Sequence, residues 1–299
     1  MANITTTQVS SAIPTIVAAK TLGRLKANLV LANIINRDYD NEVAVNGQTV
    51  NVQVRGALSV NDKAANTVVT LQTPSTSSLP VTLNKHKEVS FLAEDLAIMF
   101  ARPNLIDGYA EDAAIAIAEQ VETDIAALYS GFSQTLSALT GLAEGTFREG
   151  QRLLNAAKAP QSQRYAVLHE DAYKEAGGIE KLINRDYQGD AAMEAIKNGY
   201  LGMLSGFNVQ LSQQIATASS QCKNLFLHRN AAVLATRPLR KTAPGRGVEQ
   251  VTMNMNDLGL RVTMSYSHDY LGEKMTIDFL YGVAELRDSH GITVSTTEV

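Results

Sequence analysis

The stretch NEVAVNGQTVNVQVRG, Asn41 to Gly56, places valine at 43, 45, 50, 52 and 54 around a turn-like Asn46-Gly47. Valine at alternate positions gives a β-strand one apolar face, and Asn-Gly between two such runs is a hairpin signal. Val50, Val52 and Val54 share that face. After a polar tip, SVNDKAANTV, the chain continues as VVTLQTPSTSSLPVTLNKHKEVSF, where Val81, Leu83, Lys85, Lys87 and Val89 recur at period 2. Strands therefore span about fifty residues with no helix folded over them in sequence. An isolated hairpin is marginal in water, so the expectation is that the valine face rests on another copy of the chain.

Upstream, a Thr/Ser-rich tail leads into IPTIVAAKTLGRLKANLVLANIINRDYD, in which Leu22, Leu25, Leu29 and Ala32 suggest a broken amphipathic helix. Pro14 and Gly23 interrupt it, and its apolar stripe is too short to make a core alone, so it reads as an arm lying on something else. Downstream, FLAEDLAIMFARP reads as a short helix and Pro103 opens the most regular segment, PNLIDGYAEDAAIAIAEQVETDIAALYSGF. Ile106, Tyr109, Ala113, Ile117, Val121, Ile125 and Leu128 mark one stripe of a helix roughly 39 Å long at about 1.5 Å per residue. The other face is acidic. Asp107, Glu111, Asp112, Glu119, Glu122 and Asp124 occur with no Lys or Arg between Pro103 and Phe147, so the helix lacks the usual partners of opposite sign four residues away. A basic surface on another subunit is the expected answer, with Arg24, Lys26, Lys63 and Lys85 as candidates.

A small-residue loop, SGFSQTLSALTGLAEG, then gives way to mixed structure. TFREGQRLLNAAKAP reads as a helix stopped by Pro160, YAVLHE as a buried strand, and DAYKEAGGIEKLIN as a helix capped by Asp171. NVQLS and NLFLH read as strands, followed by the loop RPLRKTAPGRG. From Val248 the pattern is β again: LGLRVTMSY and EKMTIDFLYGVAELR alternate, with Met275, Ile277, Phe279, Tyr281 and Val283 on one side, and DSHG turns the chain into ITVS. Strands, then helices, then strands without a βαβ period imply an α+β fold whose sheet is assembled from distant parts of the chain.

Composition excludes several functions. The 299 residues carry Lys+Arg 26 and Asp+Glu 30, a net charge of -4, with no basic cluster to release counterions from nucleic acid. The single cysteine, Cys222, rules out an intrachain disulfide framework. The N-terminal residues lack a signal-peptide pattern, and no window approaches the ~18 apolar residues that would cross a bilayer. Catalytic signals are weak. His86, His169, His228, His268 and His290 are scattered, without HExxH or i,i+4 spacing, so no metal site is expected. Ser205 in LGMLSGFN misses the G-x-S-x-G nucleophile pattern and precedes its strand, which favours a turn. EAGGIEK and APGRGVE lack the spacing and strand-to-helix context of phosphate loops, and the acids of HEDAYKE suit a helix start. Lys223 beside Cys222 would lower the thiol pKa, yet an incidental thiol explains the residue without catalysis. An isopeptide from Lys63 would need a carboxylate and a dry site, whereas a solvated tip lysine needs neither.

The order of parts is arm, β ribbon, acidic helix, mixed region and closing strands. That order resembles the major capsid proteins of tailed bacteriophages, the HK97-type coat fold, and most closely the P22 coat-like group. LKANLVLANIINRDYDNEV and LNKHKEVSFLAEDLA look like the arm and the return limb of the extended loop. YAVLHEDAYKE, YLGMLSGFNVQLSQQI, NLFLHRNAAVLATRP and YGVAELRDSHGITVST resemble later elements. The resemblance implies an N-terminal arm at 1–40, an extended β loop at 41–92, a peripheral domain with spine helix at 93–135 and 256–299, and an axial domain at 136–255. It implies a structural, non-enzymatic shell protein that forms hexamers and pentamers, takes no cofactor, and assembles in the host cytoplasm with a separate scaffolding protein and a portal protein. The shell would enclose double-stranded DNA held non-specifically. On this reading Val50, Val52, Val54, Val81, Leu83, Lys63, Lys85, Arg24, Lys26, Glu111, Asp112, Glu119 and Glu122 are the intersubunit contact candidates. An encapsulin-like compartment shell is the alternative with the same fold, and a serine-type hydrolase around Ser205 the alternative from another class.

Overall fold

The computed structural model describes residue 21 and residues 29–38, 49–56, 58–95, 105–179, 201–241, 248–255 and 258–298. Arg24, Lys26, Val43, Val45, the Asn46-Gly47 turn and most of the loop RPLRKTAPGRG lie outside them. The arm contributes a four-residue helix, α1 (Leu31–Ile34). The ribbon is β1 (Thr49–Arg55) paired antiparallel with β2 (Thr76–Thr82), Val50 opposite Val81 and Val52 opposite Leu79. Alternation continues into β3 (Lys85–Glu94), so Phe91 to Glu94 extend a strand where a helix was expected. Pairing explains the difference: β3 is matched residue for residue to β13 (Gly272–Glu285) as far as Glu94 opposite Gly272.

The long helix α2 (Leu105–Ala126) follows, about 33 Å at 1.5 Å per residue. Its buried face is Ala110, Ala113, Ala114, Ile117, Ala118, Val121, Ile125 and Ala126. Alanine dominates it, which lets neighbouring backbones come close. Tyr109, expected on this stripe, is instead half-exposed and packs its ring 5.6 Å from that of Phe91.

Next come β4 (Gln134–Ala138), α3 (Glu144–Ala156), β5 (Arg164–Leu168) and α4 (Glu170–Gly177). The small-residue loop thus hides a strand, β4, because Gln134 to Ala138 add in parallel to β14 (Gly291–Thr297). The cap of α4 is His169, whose side chain accepts from the Asp171 amide, and not Asp171 itself. The chain continues with β6 (Met203–Leu204), β7 (Phe207–Leu211), β8 (Thr217–Ala218), β9 (Gln221–His228), β10 (Ala232–Arg237), β11 (Val248–Met255) and β12 (Leu258–Ser267).

Two larger sheets result. In the five-stranded sheet the order is β10-β13-β12-β11, with β3 also on β13; in the seven-stranded sheet it is β4-β14-β9-β5-β7-β6, with β8 on β9. Three connections link them: the short 3-10 turn Ala127–Ser130 after α2, Arg229–Ala231 between β9 and β10, and Asp288–His290 between β13 and β14. Gly291 to Thr297, expected with the helix, therefore belongs to the seven-stranded sheet, and β10 and β11, expected in the axial part, belong to the five-stranded one.

Each sheet has its own core. α2 and the arm residues Leu29, Leu31, Ala32, Ile34 and Ile35 cover Leu260, Val262, Met275, Ile277, Phe279 and Tyr281, which makes the predicted β13 face a true interior. Phe147 and Leu154 of α3 and Ala172 of α4 cover Ala166, Leu168, Phe207, Phe226, Ile292 and Val294, and Phe226 meets Phe147 and Phe207 at 5.0 and 5.1 Å.

Candidate assembly interface

The ribbon divides into a base and a tip of opposite character. At the base, Val50, Val52, Val81 and Leu83 are buried against Val233, Ala235, Leu79, Ala284 and Leu286. The expectation that this face has no partner within its own molecule is overturned. β10 and the end of β13 cover it, and those residues lie about 180 positions later in the chain. The approach is close: a Cβ at Gly282 would sit 2.3 Å from the Thr82 carbonyl oxygen, so only glycine lets the ribbon cross there. Val54, one pair further out, is half-buried.

Beyond Gly56 the two limbs stop pairing as strands. The Gln72 side chain forms a rung, its Oε1 accepting from the Ser59 amide at 3.0 Å while its Nε2 donates to the Ser59 carbonyl. Lys63 lies on the outside of this loop and donates to the Ala64 carbonyl at 2.9 Å and Thr67 Oγ1 at 3.3 Å, without a carboxylate partner among the described residues. The apolar side chains here have no cover. Val60 is 98% exposed, Val68 92% and Leu71 90%, with Leu58 and Val69 also open. These are the exposed apolar residues that sequence reasoning missed. The signal was present in ALSV and VVTL flanking the polar SVNDKAANT, but assigning VVTL to a strand concealed that nothing would face it.

The acidic face of α2 also splits. Glu122 is 2% exposed, and its carboxylate accepts the backbone N–H of Val30 at 2.9 Å, Leu31 at 2.7 Å and Ala32 at 3.1 Å. It is the anion at the start of α1, where free N–H groups collect, and it holds the arm to the helix within one molecule. Lys85 answers Asp124 at 3.0 Å, and Tyr281 Oη donates to the same carboxylate. Glu122 and Lys85 therefore act as fasteners within one molecule. Asp112 and Glu119 face outward, and Glu111 is half-buried. The arm is pinned twice more: Asn36 bridges to β10, with Leu234 N donating to its carbonyl at 3.0 Å, and Arg229 pairs with Asp38 at 2.7 Å.

The weak catalytic signals meet ordinary structure. Ser205 has φ +48 in the tight turn between β6 and β7, the turn role expected of it. Burial pushes the Cys222 thiol upward, with Asp171 adding to the effect, the reverse of the lowering expected from Lys223. Lys223 is occupied elsewhere, donating to Gln221 at 2.6 Å and Ser295 at 3.0 Å. Two of the scattered histidines do come together, His228 and His290, with ring centroids 5.5 Å apart.

No family model matches the sequence, and no curated protein does. Solved structures do match nearly end to end. A structure from Mycobacterium phage Che8 superposes with a TM-score of 0.69 at 18% identity, over 89% of this chain and 90% of that one. The capsid of the cyanophage P-SCSP1u gives 0.63 at 12% identity over 85% of each chain. The capsid of an empty GTA particle gives 0.59 at 13% identity over 90% of each.

Proposed function

We infer that this chain, whose fold is the HK97-type coat fold of those capsids, is the major capsid protein of a tailed phage, building the icosahedral shell that encloses double-stranded DNA. The observation that carries the inference is coverage. Similarity extends over 85% to 90% of both chains in each match, far more than one common sheet motif would cover. Placement in the P22 coat-like group rests on the sequence stretches quoted above.

Shell function on this reading is geometry: one chain repeated in hexamers and pentamers through head-to-tail contacts that must close. The tip residues Val60, Val68 and Leu71 supply the cohesive patch, because an uncovered apolar cluster on a projecting loop favours burial against a neighbour. Asp112 and Glu119 line the outward face of α2, where a basic surface of the adjoining subunit would register the contact. Scaffolding and portal proteins, assembly in the host cytoplasm and non-specific DNA contact complete the proposal, and the net charge of -4 suits an interior that does not grip DNA.

Expression of the full chain, alone and with co-expressed scaffolding protein, followed by negative-stain microscopy and sedimentation, tests it. The wild type should give closed shells, whereas a Val60→Asp, Leu71→Asp double variant should stay as folded subunits. A wild-type chain that remains monomeric at every concentration in both settings would remove the proposal.

A further inference from the structure

Three side chains that no sequence motif links converge at the junction of β5, α4 and β9. His169 follows β5 as the N-cap of α4, Asp171 lies in the first turn of α4, and Cys222 is the second residue of β9. His169 Nδ1 is 3.3 Å from Asp171 Oδ2, Cys222 Sγ is 4.0 Å from the same oxygen, and the three ligand atoms lie within 4.8 Å of one another. Their backbone frame is fixed: the His169 amide donates to Asn224 Oδ1 at 2.7 Å, and Asn224 in turn donates to Thr296 Oγ1 and the Val294 carbonyl at 2.9 and 3.2 Å.

Helix capping accounts for only part of this arrangement. To accept from the Asp171 amide, at a long 3.4 Å, Nδ1 must present its lone pair. That nitrogen then has no proton to offer the carboxylate oxygen 3.3 Å away. Two acceptors face each other, and the Cys222 thiol, donating toward the same carboxylate oxygen at 4.0 Å, supplies the nearest proton or, once that proton is lost, a third ligand.

We propose that His169, Asp171 and Cys222 form a binding site for a divalent cation of borderline softness, of which zinc is the representative. Nitrogen, oxygen and sulfur together suit zinc and disfavour magnesium or calcium, which take oxygen. Bonds of about 2.0 to 2.3 Å put tetrahedral ligands about 3.4 to 3.7 Å apart. The 3.3 and 4.0 Å separations from Asp171 bracket that range and the third lies within 4.8 Å, so side-chain rotation that draws His169 and Cys222 together closes the set. Binding releases the thiol proton to solvent, so thiolate, carboxylate and the divalent ion sum to zero charge beside a neutral imidazole, as a half-buried site requires. With three protein ligands the fourth position goes to water, on the side where the His169 and Asp171 side chains are 13% and 22% exposed. The ion would tie the start of α4 to the middle of the seven-stranded sheet. The site does not depend on the shell reading, because every residue comes from one chain.

The test uses the full chain, stripped with chelator and reloaded with cobalt or zinc. One equivalent should stay bound through gel filtration, cobalt should give the near-ultraviolet thiolate-to-metal absorption, and zinc should raise the unfolding temperature. Cys222→Ser should abolish that absorption and weaken zinc retention about 100-fold or more. His169→Asn, which keeps a good helix cap, should weaken retention comparably while leaving the metal-free far-ultraviolet spectrum unchanged, and so reads the site even where the serine variant folds poorly. A wild-type chain that retains no zinc at micromolar free ion, or a cobalt spectrum unaltered by Cys222→Ser, would overturn the site and leave only the His169 helix cap in its place.

Discussion

Glu122 shows how far one side chain can depart from the role its neighbours suggest. Helical spacing put it on an acidic face expected to meet a basic surface of another subunit, yet it is the buried acceptor for three amides at the start of α1. Truncation in Glu122→Ala removes all three partnerships at once, at about 1 to 3 kcal/mol for each donor left unpaired. Hydrogen exchange at Val30 to Ala32 should then accelerate toward the open-chain rate while the β13 amides stay protected. Burial raises the carboxyl above its ordinary value of 4.5, the three amides opposing only in part. A raised native pKa means that the folded chain holds a proton the unfolded chain has released, so this group adds stability as pH falls from the native value toward 4.5, and loses it as pH rises. Glu122→Gln should flatten that limb of stability against pH, measured by urea unfolding. It keeps the Val30 and Ala32 bonds to one oxygen and sets an amide group against the Leu31 N–H.

At the scale of elements, the ribbon separates what a pattern can and cannot reveal. Alternation at 50, 52, 81 and 83 correctly identified one apolar face, and the burial of those four residues follows it. It could not identify the cover, because Val233, Ala235 and Ala284, with Leu286 just beyond β13, belong to a part of the chain whose position depends on two crossings between sheets. The same reason hid β4, five residues that become a strand only when β14 arrives beside them. The base and the tip should therefore respond oppositely to charge. Val52→Asp places an unpaired carboxylate in a site 1% exposed and should cost about 3 kcal/mol or more, enough to lower the melting temperature sharply before any assembly. Val60→Asp, at a side chain 98% exposed, should change subunit stability by no more than about 0.5 kcal/mol while removing cohesion, read by sedimentation. Gly282→Ala tests the crossing itself. Its Cβ would meet the Thr82 carbonyl at 2.3 Å, so the ribbon must shift, with a loss of about 1 to 3 kcal/mol in thermal unfolding.

Among the described residues two larger sheets are joined by three short links, and the α+β class was legible because β-type and helix-type periods alternate without a βαβ rhythm. The crossings were not legible, since nothing local in Arg229–Ala231 or Asp288–His290 says that the chain changes sheet there. His228, the last residue of β9 before the first link, and His290, the last of the second, meet edge to face with centroids 5.5 Å apart at 3% and 4% exposure. His228 Nδ1 accepts from the Asn230 amide at 3.1 Å, which suits the neutral ring. The charged groups acting on the pair are cationic: Arg164 and Arg287 on both rings, and Arg229 on His228. The nearby Asp288 carboxylate is occupied by the Ser133 amide and hydroxyl, both at 2.6 Å. Burial first, and then these cations, hold both histidines below their ordinary 6.5. Unfolded chains take up protons there while the native joint refuses them, so stability must fall as pH drops through 6.5 and level off below the depressed native values. His290→Phe keeps the edge-to-face packing without the titration. Unfolding midpoints followed from about pH 7 to about pH 5 should decline less steeply for this variant than for the wild type. Equal slopes would place the acid sensitivity of the subunit somewhere other than the joint between its sheets.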